Sequence, residues 1–235
     1  MSDRQHGTLM IIGSGPGIGN HVAITFATQG FDHIVLLARN EQRLEQDKAA
    51  IISKAERPGI CVDTMQVDIS DATALKKALK TLETVGHAIE CIFFNAARIA
   101  PGELLSEPIE TIEEDFKTTN IALYIVAQWA IPHLQALSAS SVAAKSSLLV
   151  TNSLLYADPI PQLFSLSLVK AAQRSLVMSL AKTFNRSGVH IALVTVGGAV
   201  APENKNLNPK NIAGQAWKLF DQEKDAWGWE TEILE

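Results

Sequence analysis

A glycine-rich turn near the start of the chain, "IIGSGPGIG" at residues 11–19, has residue types and spacing that could bind a charged ligand. Gly13, Gly17 and Gly19 follow an apolar run and open a helical pattern, and Ser14 and Ile18 lie between them. Glycines permit a tight turn close to a pyrophosphate, and the N–H groups of a helix N-terminus face its negative charge. A turn that needs glycine only for positive φ is the simpler alternative. The context of apolar run, turn and helix favours a dinucleotide site.

The end of the second apolar run, "LLARN", indicates which dinucleotide binds. It begins about 20 residues after the turn, where an NAD enzyme usually carries an acidic residue against the ribose 2′-hydroxyl, whereas this chain has Ala38 followed by Arg39. A guanidinium offers paired N–H donors to a 2′-phosphate, which a carboxylate would repel. The alternative is a surface arginine beside Glu41. The predicted cofactor is NADP(H).

The glycine spacing departs from G-x-G-x-x-G, because Ile18 stands at the third glycine position, and it resembles the G-x-x-x-G-x-G turn of the short-chain dehydrogenase/reductase family. The resemblance extends over nearly the whole chain. "FFNAAR" stands where the family has N-N-A-G, with Asn95 kept, and "VDIS" supplies Asp68 at the position of the family's adenine-facing aspartate. Helix capping is the alternative role for Asp68, although Ser70 or Asp71 fits that role better.

The resemblance also implies a catalytic site. Ser153 matches the serine that holds a substrate carbonyl, Lys170 the lysine that binds the nicotinamide ribose, and Asn120 the asparagine of the family's proton relay. An isolated helical asparagine could equally be a packing residue. Leu166 occupies the tyrosine position and cannot donate a proton. Tyr156 is the best substitute if it folds toward Lys170, and the alternative is an aromatic residue that packs the loop.

Short apolar runs alternate with helical patterns and must position these residues. The strand-like runs are "TLMIIG", "HIVLLA", "CVDTMQV", "IECIFF", "SSLLVT", "HIALVTV" and "WGWETEIL". Their order predicts an α/β, Rossmann-like, doubly wound parallel sheet of about seven strands with helices on both faces. We expect a single domain over residues 1–235, because no linker-like composition divides the chain. After the sixth run, "GGAVAPENKNLNP" is too short for the helical lid that the family commonly carries, so we expect an open site.

The composition of the chain limits the kinds of partner that it could bind. The chain has 235 residues, 47% hydrophobic, and a net charge of −5, which disfavours nucleic-acid and anionic-membrane partners. The start of the chain shows no export signal, and Cys61 and Cys91 lie in strand-like runs, which predicts buried thiols and a cytoplasmic protein. We expect no metal site, because ligand spacing is absent among the scattered histidines, which are His6, His21, His33, His87, His133 and His190.

Three functions remain open. The first is an NADP(H)-dependent oxidoreductase that reduces a carbonyl or related small molecule with an atypical proton donor. The second is a non-redox isomerase, lyase or cyclase on the same scaffold, and the third is a catalytically inactive NADP(H)-binding protein. We favour the first, because a pure binder has little need of Ser153. The helix in "PQLFSLSLVKAAQRSLVMSLAKTF" is apolar around much of its circumference, which predicts contact with a second subunit in a homodimer or homotetramer.

Overall fold

The structure, a computed structural model, describes residues 6–83 and 88–235, so His87 lies outside the described residues. Its sheet has seven parallel strands in the order β3-β2-β1-β4-β5-β6-β7. The strands are β1 His6–Ile12, β2 Phe31–Ala38, β3 Cys61–Gln66, β4 Ile89–Phe94, β5 Ser147–Ser153, β6 His190–Val196 and β7 Glu230–Ile233. The predicted doubly wound α/β fold is confirmed.

Helices cover both faces of this sheet. On one face lie α1 Ile18–Thr28, α2 Glu41–Lys54 and α7 Pro209–Phe220. On the other lie α3 Ala72–Leu82, α5 Ala122–Ser140 and α6 Phe164–Phe184, with α4 Ile109–Phe116 packed against α6. A π-helical turn at Lys117–Ile121 joins α4 to α5. Within residues 6–83 and 88–235, no helix combines the length and the apolar composition that spanning a membrane requires.

The two cores follow from the alternation of side chains along buried strands. On β1, Met10 and Ile12 enter the core beneath α3, α5 and α6, whereas Leu9 and Ile11 enter the core beneath α1, α2 and α7. Successive strand residues point to opposite faces, so a strand buried on both sides must be apolar at every position. The unbroken apolar runs of the sequence therefore predict the central strands.

The edge strand β3 breaks this pattern and corrects one expectation. Cys91 on β4 is buried as predicted, but Cys61 is exposed, so the prediction of two buried thiols is wrong for Cys61. The reason is position in the sheet, because β3 pairs only with β2 and its outward residues meet solvent. The strand itself carries this signal in Asp63 and Gln66, two polar residues that an inner strand buried on both faces would not favour.

The strand order reverses direction between β1 and β4, and their carboxyl ends form a crevice where ligands bind in this class of fold. The backbone N–H of Asn95, just after β4, donates to the carbonyl of Ile12 at 2.8 Å and holds the two ends together. Residues 197–208, between β6 and α7, form turns and no helix, as their length predicts. The carboxylate of Glu235 accepts hydrogen bonds from the N–H groups of Lys205, Asn206 and Leu207 in this segment.

Candidate active site

The glycine turn between β1 and α1 has two glycines that the protein's own packing requires. Gly13 has φ +89°, and a Cβ there would lie 2.7 Å from the backbone nitrogen of Ala96. A Cβ on Gly19 would lie 2.9 Å from the carbonyl oxygen of Gly13. The turn therefore packs directly on the segment after β4, and larger residues at either position would force it away.

The other glycines of the turn face open space. A Cβ on Gly15 or Gly17 would meet no heavy atom within 4 Å, and neither residue has positive φ. Gly17 begins α1 without a side-chain cap, and Ile18 is the first helical residue. Packing against neighbouring atoms thus explains Gly13 and Gly19 but not Gly15 and Gly17. An open, uncapped helix N-terminus fits a phosphate, so these residues could hold the pyrophosphate of a dinucleotide.

Ser14 anchors the turn to α2. Its hydroxyl donates to Asp47 Oδ2 at 2.8 Å, and Arg43 forms an ion pair with the other carboxylate oxygen of Asp47 at 2.8 Å. Asn20 on α1 donates to the Asp47 carbonyl at 3.3 Å. Asp47 is fully buried, which a carboxylate tolerates only when it is paired and hydrogen-bonded. Sequence analysis missed Asp47, whose only signal is a charged residue on the apolar face of a helix.

Arg39 and Asp68 lie beyond the carboxyl ends of β2 and β3. The Arg39 side chain is exposed, and its carbonyl accepts a hydrogen bond from Gln66 Nε2 at 3.0 Å. The Asp68 carboxylate accepts from the Ser70 N–H at 3.0 Å and the Ser70 hydroxyl at 2.8 Å. Asp71 caps α3 by accepting from the Thr73 N–H at 2.8 Å, as its position predicts. The helix cap is therefore explained without Asp68.

Asn95 connects the glycine turn to β5. Its amide donates to the Gly13 carbonyl at 3.2 Å, and its Oδ1 accepts from the Thr151 hydroxyl at 2.8 Å. The Thr151 carbonyl in turn accepts a hydrogen bond from Lys170 Nζ at 2.8 Å. One chain of contacts therefore runs from the turn through Asn95 and Thr151 to Lys170. Sequence analysis missed Thr151, because its role depends on its position on the neighbouring strand β5.

Lys170 is the most perturbed basic group of the site. Its side chain is buried on α6, and Nζ also donates to Gln173 Oε1 at 3.0 Å. Burial lowers the pKa of Lys170 to about 7, because the charged form loses its hydration. An amine with this pKa exchanges a proton near neutral pH, and such tuning is typical of functional sites. Gln173 is a further residue that sequence analysis missed, since nothing at its position suggested a partner for the lysine.

Asn120 lies in the π-helical turn and faces the same helix as Lys170. Its Nδ2 donates to the Val169 carbonyl at 3.0 Å, while its Oδ1 is buried without a hydrogen-bond partner among the described residues. π-Helical turns often occur at functional sites, and a buried amide oxygen without a partner calls for a water or ligand group. The structure thus places Asn120 beside α6 at the residue that precedes Lys170.

Ser153 is the last residue of β5, where the strand turns into a short 3-10 helix at Leu154–Tyr156. Its Oγ accepts from the Leu155 N–H at 3.3 Å, and its backbone N–H donates to Asn152 Oδ1 at 2.7 Å. Asn152 also donates to the Lys170 carbonyl at 3.3 Å. The end of β5 is therefore fixed against α6, and Ser153 lies at the carboxyl edge of the sheet.

The position of the missing tyrosine is closed by an apolar side chain. Leu166 is buried and lies one helical turn before Lys170 on α6. Its neighbour Ser165 donates to the buried Asp115 at 2.7 Å, and Arg98 binds the same carboxylate at 2.7 Å. This network ties α6 to α4, so the backbone at Leu166 is well anchored.

Tyr156 contacts a different residue of α6 from the one that sequence analysis considered. Its ring lies under the guanidinium of Arg174, with 3.9 Å from Cζ to the ring centroid. Trp229 packs on the same guanidinium at 4.5 Å, and Arg174 forms a bidentate ion pair with Glu230 of β7. The structure therefore brings Tyr156 to Arg174, one helical turn beyond Lys170. Cation–π stacking of this kind holds an aromatic ring in place.

Comparisons with known proteins identify the family of the chain and relatives with the same fold. A family model described as short chain dehydrogenase matches residues 7–212. The 17-beta-hydroxysteroid dehydrogenase 13 of Rattus norvegicus is 28% identical over 127 residues, which are 54% of this chain and 41% of that protein. The chain therefore spans less than half the length of this curated relative.

Solved structures match over nearly the whole chain. An NADH-dependent reductase complexed with NAD has a TM-score of 0.83 at 18% identity and covers 97% of this chain and 95% of its own. A metagenomic short-chain oxidoreductase in complex with NADP has a TM-score of 0.81 at 18% identity and covers 98% of both chains. At identities this low, the TM-scores establish the shared fold, and the family-model match establishes membership of the family. The chain belongs to the short chain dehydrogenase family of oxidoreductases.

Proposed function

We propose that the protein is an NADP(H)-dependent oxidoreductase that reduces the carbonyl group of a small molecule. The observation that carries this proposal is the chain of hydrogen bonds from the Gly13 carbonyl through Asn95 and Thr151 to Lys170. It connects the open glycine turn to the residues that match the family's catalytic positions. A protein that only bound the nucleotide could also use Lys170 to hold the nicotinamide ribose, but it would have little need of Ser153.

The cofactor proposal rests on the two ends of the crevice. Gly15 and Gly17 leave room for a pyrophosphate, and Arg39 is exposed beyond β2, where a 2′-phosphate would meet its guanidinium. Asp68 is available on the same side to contact the adenine. When bound, NADPH supplies the hydride that is transferred to the carbonyl carbon. The protein's own residues must then orient the carbonyl and deliver a proton to its oxygen.

Ser153 and Lys170 support these two tasks. The Ser153 hydroxyl lies at the end of β5 and can donate a hydrogen bond to a carbonyl oxygen. Leu166 has no proton to give, so the proton must come from another group. We propose that Lys170 holds that proton at Nζ, because its pKa of about 7 lets it release one at neutral pH. Tyr156 is the competing donor, and to serve it must leave Arg174.

One observation favours a second candidate function. Leu166, which is 6% exposed, stands at the family's tyrosine position and carries no phenol. The phenol of Tyr156 is stacked on Arg174 instead. A protein with this arrangement could bind NADP(H) as a sensor or regulatory domain and transfer no hydride. The glycine turn and Arg39 would serve this function equally well, and only turnover distinguishes the two.

Isotope transfer tests the proposal directly. The protein is incubated with NADPH that carries deuterium at C4 and with a panel of ketones, aldehydes and quinones, and the products are analysed by mass spectrometry. We expect deuterium at the former carbonyl carbon of at least one product, and loss of that transfer in Ser153→Ala. Ser179→Ala, an exposed serine on α6, is the matched control and should transfer deuterium normally. NADPH binding without transfer to any substrate would favour the second candidate.

We also propose that a second copy of the chain packs on the face formed by α5, α6 and the π-helical turn. Ile121, Tyr124 and Leu168 on this face are each about half exposed, at 49%, 48% and 47%. Large apolar side chains grouped on helices commonly mark subunit contacts. Sedimentation velocity should give the mass of a dimer or tetramer, and Tyr124→Glu should shift the protein toward monomer. A monomer at micromolar concentration would contradict this part of the proposal.

A further inference from the structure

Three potential metal ligands lie together at the amino-terminal end of the sheet, away from the glycine turn. His33 on β2 pairs in register with Cys61 on β3, and Asp63 follows two residues later on the same face of β3. The ligand atoms of the three side chains all lie within 4.8 Å of one another. His33 is distant in the sequence from Cys61 and Asp63, so ligand spacing among the histidines could not reveal the cluster, and the parallel register of β2 and β3 brings the three residues together.

The cluster is anchored on one side and open on the other. The His33 side chain is 9% exposed, whereas Cys61 is exposed and the Asp63 side chain is 51% exposed. His33 Nε2 lies 2.9 Å from Asp63 Oδ2. In a tetrahedral zinc site two such ligand atoms stand about 3.4 Å apart, which follows from metal–ligand bonds of about 2.0–2.1 Å. A shift of about half an ångström in an exposed carboxylate would admit the ion.

A hydrogen bond from the neighbouring strand β1 sets the orientation of the His33 ring. Thr8 on β1 is buried, and its hydroxyl lies 2.8 Å from His33 Nδ1. Histidines that bind metals almost always use their second ring nitrogen in such a hydrogen bond, which fixes the ring. A hydroxyl both donates and accepts, so Thr8 can accept from Nδ1–H when Nε2 binds a metal. The contact therefore directs Nε2 toward Asp63 and Cys61.

We propose that His33 Nε2, Cys61 Sγ and an Asp63 carboxylate oxygen bind a divalent cation of the zinc type, with water in the fourth position. Thiolate, imidazole and carboxylate together suit Zn²⁺ and disfavour Mg²⁺ and Ca²⁺, which prefer oxygen ligands. The thiol of Cys61 releases its proton to solvent when the metal–sulfur bond forms. The exposed side of the cluster provides the path of entry.

The location determines what the ion would do. The site lies at the amino-terminal ends of β2 and β3, whereas the glycine turn, Ser153 and Lys170 lie toward the carboxyl ends. A bound ion would cross-link the edge strand to the sheet and raise stability by mass action. It would also occupy the exposed thiol. The proposal therefore does not depend on the proposed oxidoreductase function.

Cobalt substitution tests the site, because cobalt bound to a thiolate has a charge-transfer band in the near ultraviolet. The full untagged chain is stripped with EDTA, kept reduced and titrated with Co²⁺, then with Zn²⁺ as competitor. We expect one equivalent to bind, the band to appear with Co²⁺ and vanish with Zn²⁺, and Zn²⁺ but not Mg²⁺ to raise Tm. Absence of the band in the unmodified protein would overturn the proposal.

Variants assign the ligands. Cys61→Ser should abolish the band, and Asp63→Asn should weaken Zn²⁺ binding at least tenfold. Thr8→Val, which keeps the shape but removes the hydroxyl, should weaken binding about 10–100-fold, the usual effect of losing such a partner. Glu45→Gln is the matched control, because Glu45 is an exposed carboxylate that contacts Thr64 on the other face of β3. A band that persists in Cys61→Ser would place the metal elsewhere and contradict the assignment.

Discussion

The side-chain oxygen of Gln173 lies 3.0 Å from Nζ of Lys170, one helical turn further along α6. Gln173 is fully buried, and its Nε2 has no hydrogen-bond partner among the described residues. A buried amide that meets only part of its hydrogen-bonding capacity is costly, and the bond to the lysine offsets part of that cost. The oxygen of Gln173 and the carbonyl of Thr151 together partly replace the water that burial removes from Lys170.

The pKa of Lys170 should make stability depend on pH. The pKa is about 7 in the fold against 10.5 for the ordinary group. Between these values the unfolded chain binds more protons than the native one, so the free energy of unfolding rises with pH. We expect a rise of up to about 1.4 kcal/mol per pH unit above pH 7, measured by urea denaturation. Lys170→Met should lose this rise, and an unchanged slope in that variant would exclude Lys170 as its source.

Substitutions of Gln173 should move the same profile in opposite directions. Gln173→Leu removes an acceptor from the ammonium and should lower the Lys170 pKa, so the rise begins at lower pH. Gln173→Glu places a carboxylate beside the ammonium and should raise the pKa, so the rise begins at higher pH. The pH profile of turnover should shift in the same sense if Lys170 supplies the proton. Identical profiles in all three proteins would show that Gln173 has no such effect.

Substitution should show that some glycines of the turn are needed for the fold and others for ligand binding. Gly13→Ala forces a Cβ against Ala96 at positive φ and should destabilise the fold by more than about 2 kcal/mol. Gly17→Ala meets no neighbouring heavy atom, so its loss of stability should come from the backbone and the helix cap alone and be smaller than that of Gly13→Ala. It should nevertheless weaken NADPH binding at least tenfold, which calorimetry would measure.

Gly59→Ala provides the control for this comparison. Gly59 also has positive φ, +84°, but a Cβ there has no neighbour within 4 Å. Its substitution should therefore show the conformational cost alone, about 1–2 kcal/mol, and leave NADPH binding unchanged. If Gly17→Ala bound NADPH normally, the turn would not contact the cofactor as proposed.

The fold and the residues that match the family's motifs could be predicted from the sequence. The side-chain contacts between distant elements could be predicted much less. Apolar runs identified the central strands, because parallel strands buried on both faces must be apolar throughout, and β-branched or aromatic residues marked the two edge strands, β3 and β7. Local spacing predicted Ser70 or Asp71 as a better helix cap than Asp68, and the structure shows that the cap is Asp71. These features depend on neighbours in the chain, which a sequence displays directly.

Contacts between distant elements could not be predicted in this way. The bonds of Ser14 to Asp47 and of Lys170 to Gln173 depend on how helices pack and on which rotamers are accessible. The exposure of Cys61 depends on the edge position of β3, which follows from the strand order. Tyr156 lies beside Arg174 because β7 brings Glu230 and Trp229 to that part of α6.

Arg39 should determine the choice of cofactor. A hundredfold excess of ligand over its Kd stabilises a protein by about 2.7 kcal/mol, so binding is visible as a rise in Tm. We expect a large rise with NADPH and a small one with NADH, and Arg39→Ala should cost about 1.5–3 kcal/mol of NADPH binding. Binding of NADH should hardly change. Arg186→Ala, another exposed arginine, is the control, and equal shifts with both cofactors in the unmodified protein would exclude the NADP(H) proposal.

Restoring a phenol at residue 166 should raise carbonyl reduction. Leu166→Tyr places a hydroxyl one helical turn before Lys170, on the same face of α6, while Ser153 can still hold a carbonyl. General acid catalysis typically contributes 10²–10⁴-fold, so we expect the rate of NADPH-dependent reduction of activated ketones to rise by about a hundredfold or more. Rates are compared at saturating NADPH, with Tm recorded for each variant.

Two phenylalanine variants separate the phenol from its effect on packing. Leu166→Phe has the ring without the hydroxyl, so it should match Leu166→Tyr in Tm but not in rate. Tyr156→Phe in the unmodified protein keeps the ring on Arg174 and removes only the phenol. Turnover that persists in Tyr156→Phe would exclude Tyr156 as the proton donor, whereas its loss with NADPH binding intact would assign the proton to Tyr156 and contradict the proposed role of Lys170. If Leu166→Tyr binds NADPH, remains folded and still reduces no substrate, the site lacks more than a phenol, and NADP(H) binding without hydride transfer becomes the better account.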